Sequence, residues 1–164
     1  MKEGIKKALD KLNKEYGAGT IMTFDESSKI RIDRFSSGSL GLDDALGGGW
    51  PRGRIIELYG PESSGKTTLA LHAIAEIHKL GGVAAFIDAE HAFDSTYAEN
   101  LGIEVSNGDK FLFSQPMSGD EAIEIVRELV KTHEVDLIVV DSVAAMIPKA
   151  ELQGDVGDSK MGLH

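Results

Sequence analysis

The run Gly60-Pro61-Glu62-Ser63-Ser64-Gly65-Lys66-Thr67 constrains this chain more than any other feature. It satisfies the pattern G-x-x-x-x-G-K-[ST] and lies between an apolar segment, Arg54 to Tyr59, and a helically spaced one, Lys66 to Leu80. That context predicts a loop that wraps the phosphates of a nucleotide. Successive main-chain N–H groups of such a loop point inward and donate to anionic oxygens. Gly60 and Gly65 permit the tight curl that a side chain would obstruct. The helix opening near Lys66 adds the positive end of its dipole. Lys66 supplies a point charge for the β- and γ-phosphates, and the Thr67 hydroxyl a ligand for Mg²⁺. The expected ligand is ATP with Mg²⁺. The competing reading is a glycine-rich turn that happens to carry a lysine.

The surrounding periodicity predicts an α/β fold. Arg54 to Tyr59, Val83 to Ile87, Phe111 to Phe113 and Val135 to Val140 read as apolar strands, and Ile30-Arg31-Ile32 alternates like a short one. Lys66 to Leu80 reads as a helix with Leu69, Ala73, Ile77 and Leu80 inward. Asp120 to His133 reads as another, with Ile123, Val126, Leu129 and Val130 inward, and Tyr97 to Leu101 as a short one. Ser36 to Gly49 is turn-rich, with a short helix expected over Leu42 to Leu46. Apolar strands alternating with amphipathic helices predict a mainly parallel sheet covered on both faces. Right-handed crossovers place the strand C-termini on one edge. The loop, Glu90 and Asp141 each follow a strand and are expected to gather there.

Two carboxylates have expected roles. Asp141 closes the apolar strand Val135 to Val140, where an acid would hold Mg²⁺ through a water; the alternative is a turn cap. Glu90 is the best candidate to orient and polarise water in line with the γ-phosphate, on a strand expected beside the loop strand. Asp88 and Glu62 are the other acids within reach, and a helix-start role is the alternative for Glu90. His91 is read as a hydrogen-bonded structural residue. No pair of histidines has zinc-ligand spacing.

The N-terminal stretch has its own character. Ile5, Ala8, Leu9, Leu12 and Tyr16 form one stripe, Gly17 is a helix-ending residue, and Ile21-Met22-Thr23-Phe24 reads as a short strand. This arm either folds on its own core or docks on another subunit. No cysteine is present, which excludes disulfides and thiolate metal sites and suits a reducing cytoplasm. No apolar run reaches membrane-spanning length. The net charge of −10 argues against a surface coated in positive charge for nucleic acid, though a local DNA site needs only a few cations and amides.

Several runs then converge. Ser36 to Asp43, Gly60 to Thr68, Phe86-Ile87-Asp88-Ala89-Glu90-His91-Ala92, Val139-Val140-Asp141-Ser142-Val143-Ala144-Ala145 and Gly157 to Leu163 resemble, in this order, the corresponding stretches of bacterial RecA recombinases. The resemblance spans the whole chain. It implies a RecA-type P-loop NTPase core over residues 30–164, preceded by an oligomerisation arm over residues 1–29. It implies that Gly60, Pro61, Glu62, Ser63, Ser64, Gly65, Lys66, Thr67 and Thr68 hold the triphosphate. Glu90 would activate the attacking water, and Asp94 and Tyr97 would hold adenine. The segment Gln153, Gly154, Asp155, Val156, Gly157, Asp158, Ser159, Lys160 and Met161 resembles the first DNA-binding loop, with Lys160 where relatives often carry histidine. The arm would pack on a neighbouring protomer in a filament on single-stranded DNA that pairs with double-stranded DNA. The activity implied is a cytoplasmic, DNA-dependent ATPase acting in homologous pairing, strand exchange, DNA repair and the SOS response.

The resemblance also implies more chain than is present: further strands, a second DNA loop and a C-terminal domain. The sheet is therefore expected to be incomplete, and the chain to be a fragment that retains ATP more readily than it turns it over. A nucleotide-binding assembly module or filament cap without turnover is the alternative.

Overall fold

The computed structural model describes residues 2–24 and 32–146, and the chain divides into two compact units, Met1–Asp33 and Arg34–His164. The first unit is built on helix α1, Glu3–Tyr16, which ends at Gly17 with φ 105°. A positive φ suits glycine because no Cβ opposes it. Beyond the helix, the Asn13 amide does the work expected of a strand partner. Its Nδ2 donates to the Ile21 carbonyl at 3.0 Å, and its Oδ1 accepts from the Ile21 N–H at 3.2 Å. With both main-chain groups of Ile21 satisfied by one side chain, the strand expected over Ile21–Phe24 does not form.

The second unit opens with a two-stranded antiparallel pair, β1 (Arg34–Phe35) and β2 (Trp50–Pro51). Between them lies helix α2, Leu40–Leu46, capped by the Ser39 side chain. The Asp43 carboxylate accepts from Ser36 Oγ and from the Ser37 N–H, both at 2.7 Å. These bonds hold its pKa below the ordinary carboxylate value.

The main body is a parallel sheet. Helix α3 (Lys66–Lys79) precedes β3 (Ala84–Asp88), followed by α4 (Ser95–Asn100), β4 (Phe111–Ser114), α5 (Gly119–Thr132) and β5 (Leu137–Asp141). The strand order is β4-β3-β5, so β3 is central and each neighbour is reached through a helical crossover. Register pairs Phe86 with Phe113 and Val139, and Asp88 with Asp141. Paired residues of parallel strands face the same side, so Ala84, Phe86, Phe111, Leu137 and Val139 share one face. Ile74 and Ile77 of α3 join it in the core, and Phe93 packs on Phe86, Phe111 and Phe113 with ring centroids 5.0–5.7 Å apart. The fully buried Ile74, Ile77 and Phe86 each stabilise the fold by about 1.5–3 kcal/mol through removal from water. On the opposite face Ala85 and Ile87 are buried, but Ile138 and Val140 of β5 are only half-buried.

His78 ties α3 to the loop before β4. Nε2 donates to the Lys110 carbonyl at 3.1 Å, and Nδ1 accepts from the Glu104 N–H at 3.1 Å, with Phe111 edge-on to the ring. This bonding fixes the neutral tautomer, and burial holds the pKa below its usual value.

Several expectations are corrected. Arg54–Tyr59 is not a strand: it pairs with no other strand among the described residues, and Ile55 and Tyr59 are exposed. β3, which leads to Glu90, accordingly lies between β4 and β5 and not beside that segment. Ile30 and Arg31 lie outside the described residues, Ile32 is in no strand, and the first strand begins at Arg34. Leu80, Ile123 and Val130 are exposed, whereas Leu71, Ile74, Ala75 and His78 join Ala73 and Ile77 among the buried residues of α3. The segment Gln153–Met161 and the 29/30 boundary also fall outside the described residues.

Candidate functional site

The Gly60–Thr68 loop lies against the C-terminal edge of the sheet because α3, which follows it, packs on β3 and β5. Gly65 opens α3 at φ 89°, a conformation that a side chain disfavours. Ser63 also has positive φ, at 57°. Among the described residues, the main-chain N–H groups of Glu62, Ser63, Ser64 and Gly65 meet no protein acceptor. Main-chain amides left unpaired at an exposed loop ahead of a 14-residue helix suit an anion of several oxygens. The Lys66 ammonium donates to the carbonyls of Gly60 at 3.1 Å and Pro61 at 2.9 Å, so its charge sits over the loop.

Thr67 and Asp141 meet. The Thr67 hydroxyl donates to Asp141 Oδ2 at 2.5 Å, joining the first turn of α3 to the end of β5. This is a hydroxyl and a carboxylate converging at one spot, a donor set suited to Mg²⁺, which takes hard oxygens and retains several waters. Among the described residues no group of three or more His, Cys, Asp or Glu is placed to hold a metal ion.

Glu90 is held from the same side. The Asp141 carbonyl accepts from the N–H groups of Ala89 at 2.7 Å and Glu90 at 3.2 Å. Ser142 Oγ donates to Glu90 Oε1 at 2.5 Å. Glu90 is exposed. Asp88 is placed differently. Its carboxylate is buried at 1 % exposure and accepts from Ala92 N, Phe93 N and Gln115 Nε2, which holds the loop after β3 in place.

Asp94 caps α4 by accepting from the Tyr97 N–H at 3.0 Å, which sets these two residues in one fixed relation, with the Tyr97 ring part-exposed. Glu62 lies exposed in the loop. Sequence reasoning missed roles for Gln115 and Ser142. Nothing about Gln115 marks it, whereas Ser142 directly follows the strand-ending acid.

Comparison with known proteins agrees with the early likeness. The family model described as the RecA N-terminal domain matches residues 3–164. Proteins named Protein RecA from Arthrospira platensis and Cytophaga hutchinsonii are 56% and 57% identical over 162 and 163 residues, 99% of this chain. One from Bacillus licheniformis is 58% identical over 158 residues, 96% of this chain. The chain spans less than half the length of these relatives, between 44% and 45%.

Proposed function

The chain belongs to the RecA N-terminal domain family, and from that premise we propose that residues 30–164 carry the P-loop NTPase core of an ATP-dependent DNA recombinase, with residues 1–29 as its oligomerisation arm. The observation that carries this reading is the Thr67–Asp141 hydrogen bond, which brings a loop hydroxyl to a strand-end carboxylate 74 residues away. Chance would not place those two oxygens together at the opening of a glycine-rich loop.

In this reading the amides of Gly60–Thr68 and the Lys66 ammonium hold the triphosphate, and Lys66 offsets charge as it moves onto the leaving oxygens. Thr67 and Asp141 would hold Mg²⁺, which supplies Lewis-acid charge neutralisation when bound. Glu90 accepts a proton from water as the water oxygen bonds to the γ-phosphorus and the bond to the bridging oxygen breaks. Asp94 accepts from the adenine amino group while Tyr97 offers a ring face. Gln153–Met161 contacts DNA, and the α1 arm joins neighbouring copies into a filament on single-stranded DNA that pairs with double-stranded DNA. No helix among the described residues is long and apolar enough to cross a membrane, and the proposed setting is the cytoplasm.

Calorimetric titration with ATP tests the reading. The chain should bind ATP with Mg²⁺ and weakly with EDTA, and Asp141→Asn should weaken the magnesium-dependent part about ten-fold or more, the weight of one charge-assisted contact. Binding by Asp141→Asn that keeps the wild-type dependence on Mg²⁺ would remove its support.

A further inference from the structure

We infer that Ser142 is a positioning residue for Glu90, fixing one carboxylate oxygen so that the other is presented to water. This rests on the nucleotide-site reading above. Ser142 precedes the 3₁₀ turn Val143–Ala145, where a serine normally spends its hydroxyl capping the turn. Here the side chain makes no cap hydrogen bond. It reaches back 52 residues to donate to Glu90 Oε1 at 2.5 Å. A hydroxyl diverted from its local bond to a distant carboxylate marks a tertiary role.

The neighbouring bonds show what that role adjusts. Asp141 and Ser142 act as one two-residue unit. The Asp141 carboxylate accepts from Thr67, its carbonyl accepts from the N–H groups of Ala89 and Glu90, and the Ser142 hydroxyl takes the Glu90 side chain. The unit thus ties Thr67, which would hold the cation, to the group that would hold water. With main chain and side chain of Glu90 both anchored, an otherwise exposed and rotamer-rich side chain keeps one direction. Oε1 is engaged by the hydroxyl, and Oε2 remains to accept the water proton.

The test compares wild type, Ser142→Ala and Ser142→Thr in the full chain, with thermal midpoints as the folding control. Ser142→Cys, similar in size and a weaker donor, replaces the alanine variant if that variant does not fold. One arm needs no turnover. Carbodiimide coupling at Glu90, read by peptide mass spectrometry, should quicken roughly ten-fold in Ser142→Ala and stay near wild type in Ser142→Thr, as one charge-assisted hydrogen bond is lost or kept. Equal coupling in all three overturns the proposal. The second arm follows hydrolysis of ATP with Mg²⁺. Ser142→Ala should lower kcat with KM and nucleotide retention unchanged, and Ser142→Thr should recover kcat. A matched change in KM and retention, or no change in kcat, speaks against positioning. Failure of wild type to retain ATP would count against the nucleotide site alone, since the coupling arm still decides whether Ser142 holds Glu90.

Discussion

Thr67 donates its hydroxyl to Asp141 at 2.5 Å, so the first turn of α3 and the last residue of β5 share a proton-bearing contact across 74 positions of sequence. If these oxygens form a cation site, the hydroxyl matters and the methyl does not. Thr67→Ser should bind ATP with Mg²⁺ near the wild-type level. Thr67→Val, which keeps the branched shape, should lose roughly ten-fold or more by magnesium titration, because an oxygen ligand and a charge-assisted bond are removed together.

The His78 latch makes stability depend on pH. Burial holds its pKa below 6.5, the ordinary value. Above pH 6.5 neither folded nor unfolded chain is protonated there, and His78 contributes no slope. As pH falls through 6.5 the unfolded chain gains a proton that the folded chain refuses, so stability declines toward the folded pKa. Asp43 and Glu104 have the opposite charge type but also depressed values, and their contributions are lost only as pH falls below about 4.5. Fluorescence of the single Trp50 can follow unfolding at pH 7.5 and 5.5. Wild type should lose stability between them. His78→Phe should be less stable at both, by about 1–3 kcal/mol for each polar group left unpaired, and should lack the His78 share of the slope.

Gly49 is required by the β1–β2 pair. It sits at φ 96°, and an added Cβ would collide with the Phe35 carbonyl. Gly49→Ala should destabilise by roughly 2–4 kcal/mol from left-handed strain and overlap together. Gly53, at φ 65° with open space around it, should tolerate alanine better. Thermal midpoints of the two variants should differ in that order.

In the first unit, Asn13 can be divided into its two bonds. Asn13→Asp keeps an acceptor for the Ile21 N–H and loses the donor to the Ile21 carbonyl, and Asn13→Ala loses both. Amide exchange at Ile21 should be slowest in wild type and fastest in Asn13→Ala, with about 0.5–1.5 kcal/mol separating each step.

The elements most legible in the sequence were those written as continuous apolar or helically spaced runs. α3, β3 and β5 followed from apolar periodicity, whereas the caps that Asp94 and Ser118 provide came to light only in the structure. Arg54–Tyr59 failed because periodicity states which residues favour burial, not whether another main chain is available to pair with them. Ile21–Phe24 failed because a single asparagine side chain met the hydrogen-bonding groups of Ile21. The stripe of α5 placed Ile123 and Val130 inward, but nothing among the described residues covers them, and they are exposed. At the site, the loop pattern and the strand-ending acids were readable. The contrast between a buried Asp88 and an exposed Glu90 was not. It depends on Asp88 turning inward to three donors and on Ser142 reaching Glu90, contacts that span 27 and 52 residues in their longest cases.

Equilibrium binding of ATP with Mg²⁺ by wild type and Lys66→Ala tests the account most directly. Among the described residues the Lys66 ammonium bonds only exposed loop carbonyls, so its removal should leave the thermal midpoint nearly unchanged while nucleotide retention falls at least ten-fold, about 1.4 kcal/mol or more. Unchanged retention in a folded Lys66→Ala chain would contradict it.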